Sequence, residues 1–143
     1  MPYKFLEDVA IADVAFEATG KTLKELLESA ALAVTNTMVK NLNSIKHKVE
    51  KKFIVTGENT EKLLFNFLQE IIFYKDAELL LFNKFELVIA PKKGKLQLNV
   101  EAYGEKLDRK KHELVVDVKA VTYHSFEVKE TKNGWEARVI LDI

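Results

Sequence analysis

Beyond Ala77 the apolar residues of the sequence alternate with polar ones, and no stretch has the spacing of an amphipathic helix. Alternation of this kind is typical of strands with one buried face. Lys93-Gly94 is a turn signal, and Asn133-Gly134 is the strongest hairpin signal in the chain. A second half built of such hairpins favours an antiparallel sheet. The predicted inward-facing sets are Phe85, Leu87 and Ile89 before Pro91; Leu96, Leu98, Val100 and Ala102; a strand within 116–128; and Trp135, Ala137, Val139 and Leu141.

The first half begins with a strand and a helix. Residues 13–19 alternate and end at Gly20, which predicts a strand with one buried face. Thr22 and Glu25 then form a capping box, in which each side chain can satisfy an exposed backbone N–H near the other. The apolar spacing that follows predicts a helix over 23–39. Its apolar positions are Leu23, Leu26, Leu27, Ala30, Ala31, Val34 and Met38.

A second strand and helix follow. Residues 45–55 alternate between an inward set that includes His47 and a charged outward set, and Gly57 closes the strand. Asn59 or Thr60 can cap the next helix. This helix has a broad apolar stripe of Leu63, Leu64, Phe67, Leu68, Ile71 and Ile72.

The elements occur in the order β-α-β-α-β-β-β-β. Clustered strands with two amphipathic helices predict a single α+β domain over residues 1–143, with mostly antiparallel β-sheet and both helices packed on one side. A doubly wound α/β fold is disfavoured because the second half lacks crossover helices. The chain has only two prolines and five glycines, and no Ser/Gly/Pro-rich linker divides it.

Charge and composition narrow the function. The 143 residues include 22 Lys and Arg against 22 Asp and Glu, a net charge of zero, whereas a stand-alone nucleic-acid binder usually carries a basic excess. The absence of Cys excludes disulfides, thiolate nucleophiles and zinc fingers. Acids stand where a signal peptide needs apolar residues, and no apolar stretch approaches the roughly 20 residues of a membrane helix. We therefore expect a cytoplasmic protein with no membrane segment.

Familiar catalytic motifs are missing from the sequence. There is no Walker-type phosphate loop, no G-x-G-x-x-G, no H-E-x-x-H and no G-x-S-x-G. The three histidines, His47, His112 and His124, lack metal-ligand spacing. We interpret all three as structural or surface residues.

Acidic groups stand near both ends of the chain. Asp13 begins the first strand, and the chain finishes with Asp142 and the carboxylate of Ile143. Such oxygen ligands suit hard cations such as Ca²⁺, Mg²⁺ or Mn²⁺. If the first and last strands are neighbours, Asp13 can join Asp142 at one site. From spacing alone, a solvated strand-start acid and chain end are the more ordinary interpretation.

Residues 119–124 form a compact polar and apolar run in a strand. Alternation places Lys119, Val121 and Tyr123 on one face and the other three residues on the opposite face. On residue chemistry alone, Lys119 is a solvated strand lysine, and Tyr123 is a core aromatic with its hydroxyl satisfied.

Two further segments are basic. Residues 46–52 are interpreted as a solvated strand face that also protects an edge. Residues 106–112 are interpreted as a flexible solvated loop, although such a loop could contact phosphate.

Several of these segments together resemble the archease family. The matches run in order over nearly the whole chain, and the 118–124 run combined with the D-I ending is the most specific of them. They are A-D-V at 12–14 followed by G-K-T-L at 20–23, the segment 57–68, Tyr103-Gly104-Glu105, V-K-A-V-T-Y-H at 118–124, and Asp142-Ile143.

The resemblance implies a helper protein and not a stand-alone enzyme. Archeases assist the RtcB-type RNA ligase, which joins RNA ends carrying 2′,3′-cyclic phosphate or 3′-phosphate to 5′-hydroxyl ends during tRNA splicing. The helper promotes guanylylation of the ligase, gives it multiple turnover and relaxes its nucleotide preference. Contact with tRNA would then be indirect, through the ligase.

The resemblance also implies a metal site. Carried over residue by residue, the ligands are Asp13, Asp142 and Ile143, and Lys119 belongs to the same functional patch with the ligase. Ca²⁺ is the ion that the resemblance implies, and the ligand chemistry also admits Mg²⁺ or Mn²⁺. The family fold agrees with the α+β prediction.

One segment departs from the family pattern. Where the family usually reads D-H-T-A-D, residues 9–13 read V-A-I-A-D, so Ala10 and Ile11 stand in place of the His and Thr. Asp8 is displaced by one position from the first Asp. Asp13 is kept, and the roles of the missing His and Thr are not carried over.

Two other functional classes stay open. A general RNA-binding or chaperone module acting in tRNA processing would use the basic segments 46–52 and 106–112, and its RNA binding would fall steeply with salt. A small hydrolase would use Asp13, Lys119 and His124.

Overall fold

The computed structural model describes residues 2–6 and 13–143. Within these residues no helix is both long and apolar enough to cross a membrane. The described elements, seven strands and two α-helices, are β1 (Tyr3–Leu6), β2 (Asp13–Gly20), α1 (Leu23–Met38), β3 (Val49–Gly57), α2 (Thr60–Glu78), β4 (Leu80–Lys92), β5 (Lys95–Lys106), β6 (Ala120–Thr131) and β7 (Gly134–Asp142).

The strands pair in two antiparallel sheets. The four-stranded sheet has the order β1-β2-β7-β6, and the three-stranded sheet has the order β3-β5-β4. Helix α1 packs against β2 and β4, and α2 packs against β3 and β6, so each helix contacts both sheets. One shared core results, with the fully buried side chains of Phe16, Leu26, Phe67, Phe82, Leu98 and Leu141 among its members.

The predicted α+β class, with mostly antiparallel sheet and two amphipathic helices, is confirmed. The division into two sheets adds to that prediction. Both helices pack their apolar stripes against the shared core. Polar groups can therefore lie at the ends of the strands, outside that core.

Helix starts follow the local chemistry. The Thr22 side chain accepts a hydrogen bond of 3.1 Å from the Glu25 N–H. The Glu25 carboxylate accepts one of 2.8 Å from the Lys21 N–H, one residue earlier than a standard capping box would have it. Asn59, and not Thr60, caps α2 by accepting from the Lys62 N–H at 2.9 Å.

Three strand predictions need correction. Strand β1 was missing from the expected order because four residues carry too little periodicity to detect. Strand β3 begins at Val49 and not at residue 45, so His47 is exposed instead of facing inward.

The third correction concerns the strand expected within 116–128: β6 starts inside that range, at Ala120, but extends three residues beyond it, to Thr131. The segment before it bonds elsewhere, because the Val115 N–H donates to the Met38 carbonyl at 2.8 Å and the Glu113 carbonyl accepts from the Lys40 N–H at 2.9 Å. These bonds tie residues 113–115 to the end of α1 and leave no partner strand for them.

Candidate functional site

The register of the four-stranded sheet brings three of the predicted site residues to one end of that sheet. Asp13, at the start of β2, lies opposite Asp142, at the end of β7. Asp142 also lies opposite Ala120, at the start of β6, and its carbonyl oxygen accepts a hydrogen bond of 2.8 Å from the Lys119 N–H. Asp13, Asp142 and the backbone of Lys119 therefore meet at one place, and Ile143 follows Asp142 directly.

The two aspartates share a face of the sheet. Directly opposed residues of an antiparallel pair point to the same side, with Cβ atoms about 4.5–5.5 Å apart. Both Asp13 and Asp142 are half-buried. Among residues 2–6 and 13–143, no Lys, Arg or His nitrogen lies within 4.0 Å of either carboxylate. Like charges so placed repel, and a cation between them would remove that cost.

A neighbouring oxygen on the same face also lacks a partner. Thr122 lies opposite Ile140, one step along the face that carries Asp142. Its hydroxyl oxygen is buried and has no hydrogen-bond partner among the residues that the structure describes. This unpartnered hydroxyl, diagonal to Asp142 in the ladder, is a further hard oxygen donor, so the chemistry of the donor set fits a hard cation.

Ile143 is half-buried, and its side chain packs against the hydrophobic core. This packing fixes the position of its main chain beside Asp142. The apolar contact therefore anchors the residue that carries the terminal carboxylate, directly after Asp142.

The side chain of Lys119 is exposed. Within the described part of the chain no carboxylate lies within 4.0 Å of its ammonium group. Its backbone, in contrast, is fixed on both sides, by the bond to Asp142 and by a bond of 2.8 Å that the buried Lys75 ammonium donates to the Val118 carbonyl. The structure thus brings the main chain of Lys119 to the aspartate pair and leaves its charge directed to solvent.

Sequence reasoning missed Lys75, which is only 4% exposed. Its ammonium group pairs with Asp117 and Asp76. Burial by itself lowers the pKa of Lys75, but the hydrogen bonds and charges of the two aspartates outweigh burial and raise the pKa above its ordinary value. The sequence signal was available, because Lys75 continues the stripe of Ile71 and Ile72 at helical spacing.

Tyr123 departs from its expected place in the core. Strand β6 has an irregularity between Thr122 and Glu127, where Ser125 adopts a left-handed φ of 52°. Tyr123 is 61% exposed and stacks on Phe65 with ring centroids 3.9 Å apart. The Lys62 ammonium lies 4.6 Å from the Tyr123 ring centroid and donates to its hydroxyl at 3.3 Å.

Two histidines hold loops in place, and the third lies on the surface. His47 bonds to Asn83 at 2.7 Å. His112 is buried, and its Nδ1 accepts from the Asp108 N–H, so its Nε2 carries the hydrogen that is donated to Glu105 at 2.9 Å. His124 is exposed.

Within residues 2–6 and 13–143, no three His, Cys, Asp or Glu side chains are grouped so as to hold a metal ion. The candidate group of Asp13, Asp142 and the Ile143 carboxylate contains only two such side chains, so this absence does not bear on it. Asp8, Ala10 and Ile11, where the sequence departs from the family pattern, lie outside the described residues.

The whole chain is similar to known proteins. The family model described as "Archease protein family (MTH1598/TM1083)" matches residues 3–143. The protein called "Protein archease" from Pyrococcus furiosus is 41% identical over 133 residues, which cover 92% of this chain and 93% of that protein. The protein of the same name from Methanosarcina mazei is 32% identical over 142 residues, covering 99% and 95%.

Solved structures have the same fold. The solution structure of Methanobacterium thermoautotrophicum protein 1598 superposes with a TM-score of 0.86 at 37% identity, covering 99% of both chains. The crystal structure of a Thermotoga maritima archease, described as a possible chaperone, gives a TM-score of 0.59 at 20% identity, covering 96% of this chain and 97% of that one.

Proposed function

The chain belongs to the archease family, and on that premise we propose that it is a cytoplasmic, non-catalytic activator of an RtcB-type tRNA-splicing RNA ligase. In this role it promotes guanylylation and multiple turnover of the ligase and broadens its nucleotide specificity. In the ligation reaction, its effect on tRNA is exerted through the ligase. A divalent cation held by Asp13, Asp142 and the Ile143 carboxylate is the working part, and Lys119 contacts the ligase.

The observation that carries this proposal is the pairing of Asp13 with Asp142 across β2 and β7. Residues 129 positions apart are set side by side by a full ladder of strand pairs, so the acidic pair is held by the fold and not by a mobile loop. The orphaned Thr122 hydroxyl on the same face supports a hard cation at this place. Ca²⁺, Mg²⁺ and Mn²⁺ all accept such ligands.

When bound, the cation would supply positive charge near the triphosphate during guanylyl transfer. The chain's own residues position that charge. Asp13 and Asp142 hold it at a strand end, where a partner can approach without unfolding the sheet. The bond from Lys75 to the Val118 carbonyl fixes the backbone beside Lys119, so the Lys119 ammonium can reach an acidic or phosphate oxygen of the ligase complex.

The test is an RNA ligation assay with the cognate ligase limiting and the substrate in excess. Asp13→Asn and Asp142→Asn each remove one charge with little change in shape. We expect either variant to abolish the stimulation of multiple turnover while circular dichroism shows an intact fold. Glu130→Gln is the matched control, because Glu130 is an exposed acid on β6 far from the pair. Wild-type turnover with either aspartate variant contradicts the proposal.

A further inference from the structure

Two basic segments that lie far apart in the sequence line one surface groove. Lys106 ends β5, and Arg109, Lys110 and Lys111 occupy the turn that follows it. Lys48 enters the same groove from the segment before β3. The groove therefore collects five cationic side chains at the end of the three-stranded sheet where β5 ends.

A buried carboxylate fixes the shape of this groove. Glu105 is 5% exposed and accepts hydrogen bonds from the Lys46 N–H at 2.7 Å, the Lys111 ammonium at 2.7 Å and His112 Nε2 at 2.9 Å. Asp108 closes the turn by accepting from the Lys110 N–H at 2.9 Å. Residues 106–112, interpreted from the sequence as a flexible solvated loop, are thus linked through Glu105 to the segment before β3.

The remaining charge of the groove is unbalanced. Glu105 is occupied by its three donors, and the Lys48 ammonium lies 4.0 Å from it. Lys106, Arg109 and Lys110 are exposed, and no carboxylate among the described residues lies within 4.0 Å of them. The five cations that line the groove outnumber its two carboxylates, Glu105 and Asp108, by three, whereas the whole chain has a net charge of zero.

We propose that this groove binds the phosphate backbone of single-stranded RNA directly and without sequence preference. Cations at several points along a concave surface match successive phosphates. The groove presents no aromatic ring for bases to stack on, which favours backbone contact. The apolar lining residues are Val49, Leu79 and Leu107, with no Trp, Tyr or Phe. An acidic protein partner fits less well, because the energetic anchors of protein interfaces are enriched in Trp and Tyr. The inference shares no residue with the aspartate pair and stands independently of the proposed ligase function.

The test uses fluorescence anisotropy of the full-length protein with a labelled oligouridylate of about 20 nucleotides. The variant carries Lys106→Gln, Arg109→Gln and Lys110→Gln together, which leaves the Lys111 and Lys48 contacts to Glu105 intact. We expect its affinity to fall at least tenfold at low salt. Between about 50 and 200 mM salt, the slope of log Kd against log salt falls by about two, since each phosphate contact contributes about 0.7.

The matched control carries Lys92→Gln, Lys93→Gln and Lys95→Gln. These exposed lysines at the β4–β5 turn change net charge equally and lie about 36 Å away, at the other end of β5. Wild-type affinity in the control supports the groove. Equal loss in both triple variants, or no salt-dependent RNA binding by the wild-type protein, overturns the proposal. Competition by polyglutamate as strong as by unlabelled RNA also overturns it, in favour of an acidic protein partner.

Discussion

At the residue scale, Glu105 shows how a buried charge can organise a surface. Burial by itself raises the pKa of Glu105, but the hydrogen bonds from Lys111, the Lys46 N–H and His112 outweigh burial and lower the pKa to about 2. The Glu105 carboxylate is therefore ionised at neutral and mildly acidic pH. Its three donors come from both sides of the basic groove, so the same charge joins the two basic segments.

We expect Glu105→Gln to destabilise the protein by about 1–3 kcal/mol at neutral pH, because an amide replaces charge-assisted hydrogen bonds and presents a donor to other donors. A carboxylate with a depressed pKa stabilises the fold above its unfolded pKa of 4.5, and that contribution is lost as the pH falls toward 2. Urea denaturation at neutral pH and near pH 3 measures the difference. A gap between wild type and variant that does not narrow in acid contradicts this assignment.

Single residues were predictable where their chemistry is local. The Thr22 cap follows from residue type and spacing alone, and the same reasoning narrowed the cap of α2 to Asn59 or Thr60. The partner of His112 could not be predicted in this way, because Glu105 contacts it across an irregular turn whose sequence has no periodicity. Lys75 likewise needed Asp117 and Val118, which come from a segment 42 and 43 residues away.

At the scale of elements, the backbones of β4 and β5 approach each other closely at Gly104. The register of β4 shifts between Phe82 and Lys84, and Asn83 in the bulge donates to the carbonyls of Leu42 and Ile45 at 2.8 and 2.9 Å. The bulge brings the backbone of Leu81 against Gly104, where a Cβ would collide with the Leu81 carbonyl oxygen. This explains why a glycine precedes Glu105.

We expect Gly104→Ala to cost about 3 kcal/mol, because the added methyl group meets backbone that two strands hold in place. Thermal or urea denaturation measures the loss. Gly94→Asn is the matched control: Gly94 has a φ of +78° in an exposed turn with open space around it, and Asn tolerates that conformation. If the two variants are equally stable, the backbone at the bulge can move away from the added methyl group, and the close contact with the Leu81 carbonyl does not require a glycine.

At the scale of the whole molecule, the pairing of β2 with β7 creates the candidate site. The sequence shows that both strands exist and which residues face together, since alternation is local. The neighbour of each strand depends on contacts across more than 100 residues and on how both helices fill the space between two sheets, which no local pattern encodes. The two aspartates could therefore be predicted as candidate ligands. That they lie side by side could be predicted only on the assumption that the first and last strands are neighbours.

That meeting has a thermodynamic consequence that can be measured without any ligase. In the presence of a chelator, Asp13→Asn should stabilise the protein slightly, by up to about 1 kcal/mol, because it removes repulsion between opposed carboxylates. With a divalent ion at about 100 times its Kd, the wild-type protein should gain about 2.7 kcal/mol. The variant should gain little, so the order of stability reverses.

Thermal denaturation in EDTA, CaCl₂, MgCl₂ and MnCl₂ measures this reversal, with Glu130→Gln as the control that should respond like the wild-type protein. Asp142→Asn should behave as Asp13→Asn does, because the two carboxylates act on one ion. An ion-dependent stabilisation that persists in both aspartate variants places the ion elsewhere. If none of the three ions stabilises the wild-type protein, the aspartates do not form a site for these ions. Their repulsion is then a cost that the rest of the sheet offsets.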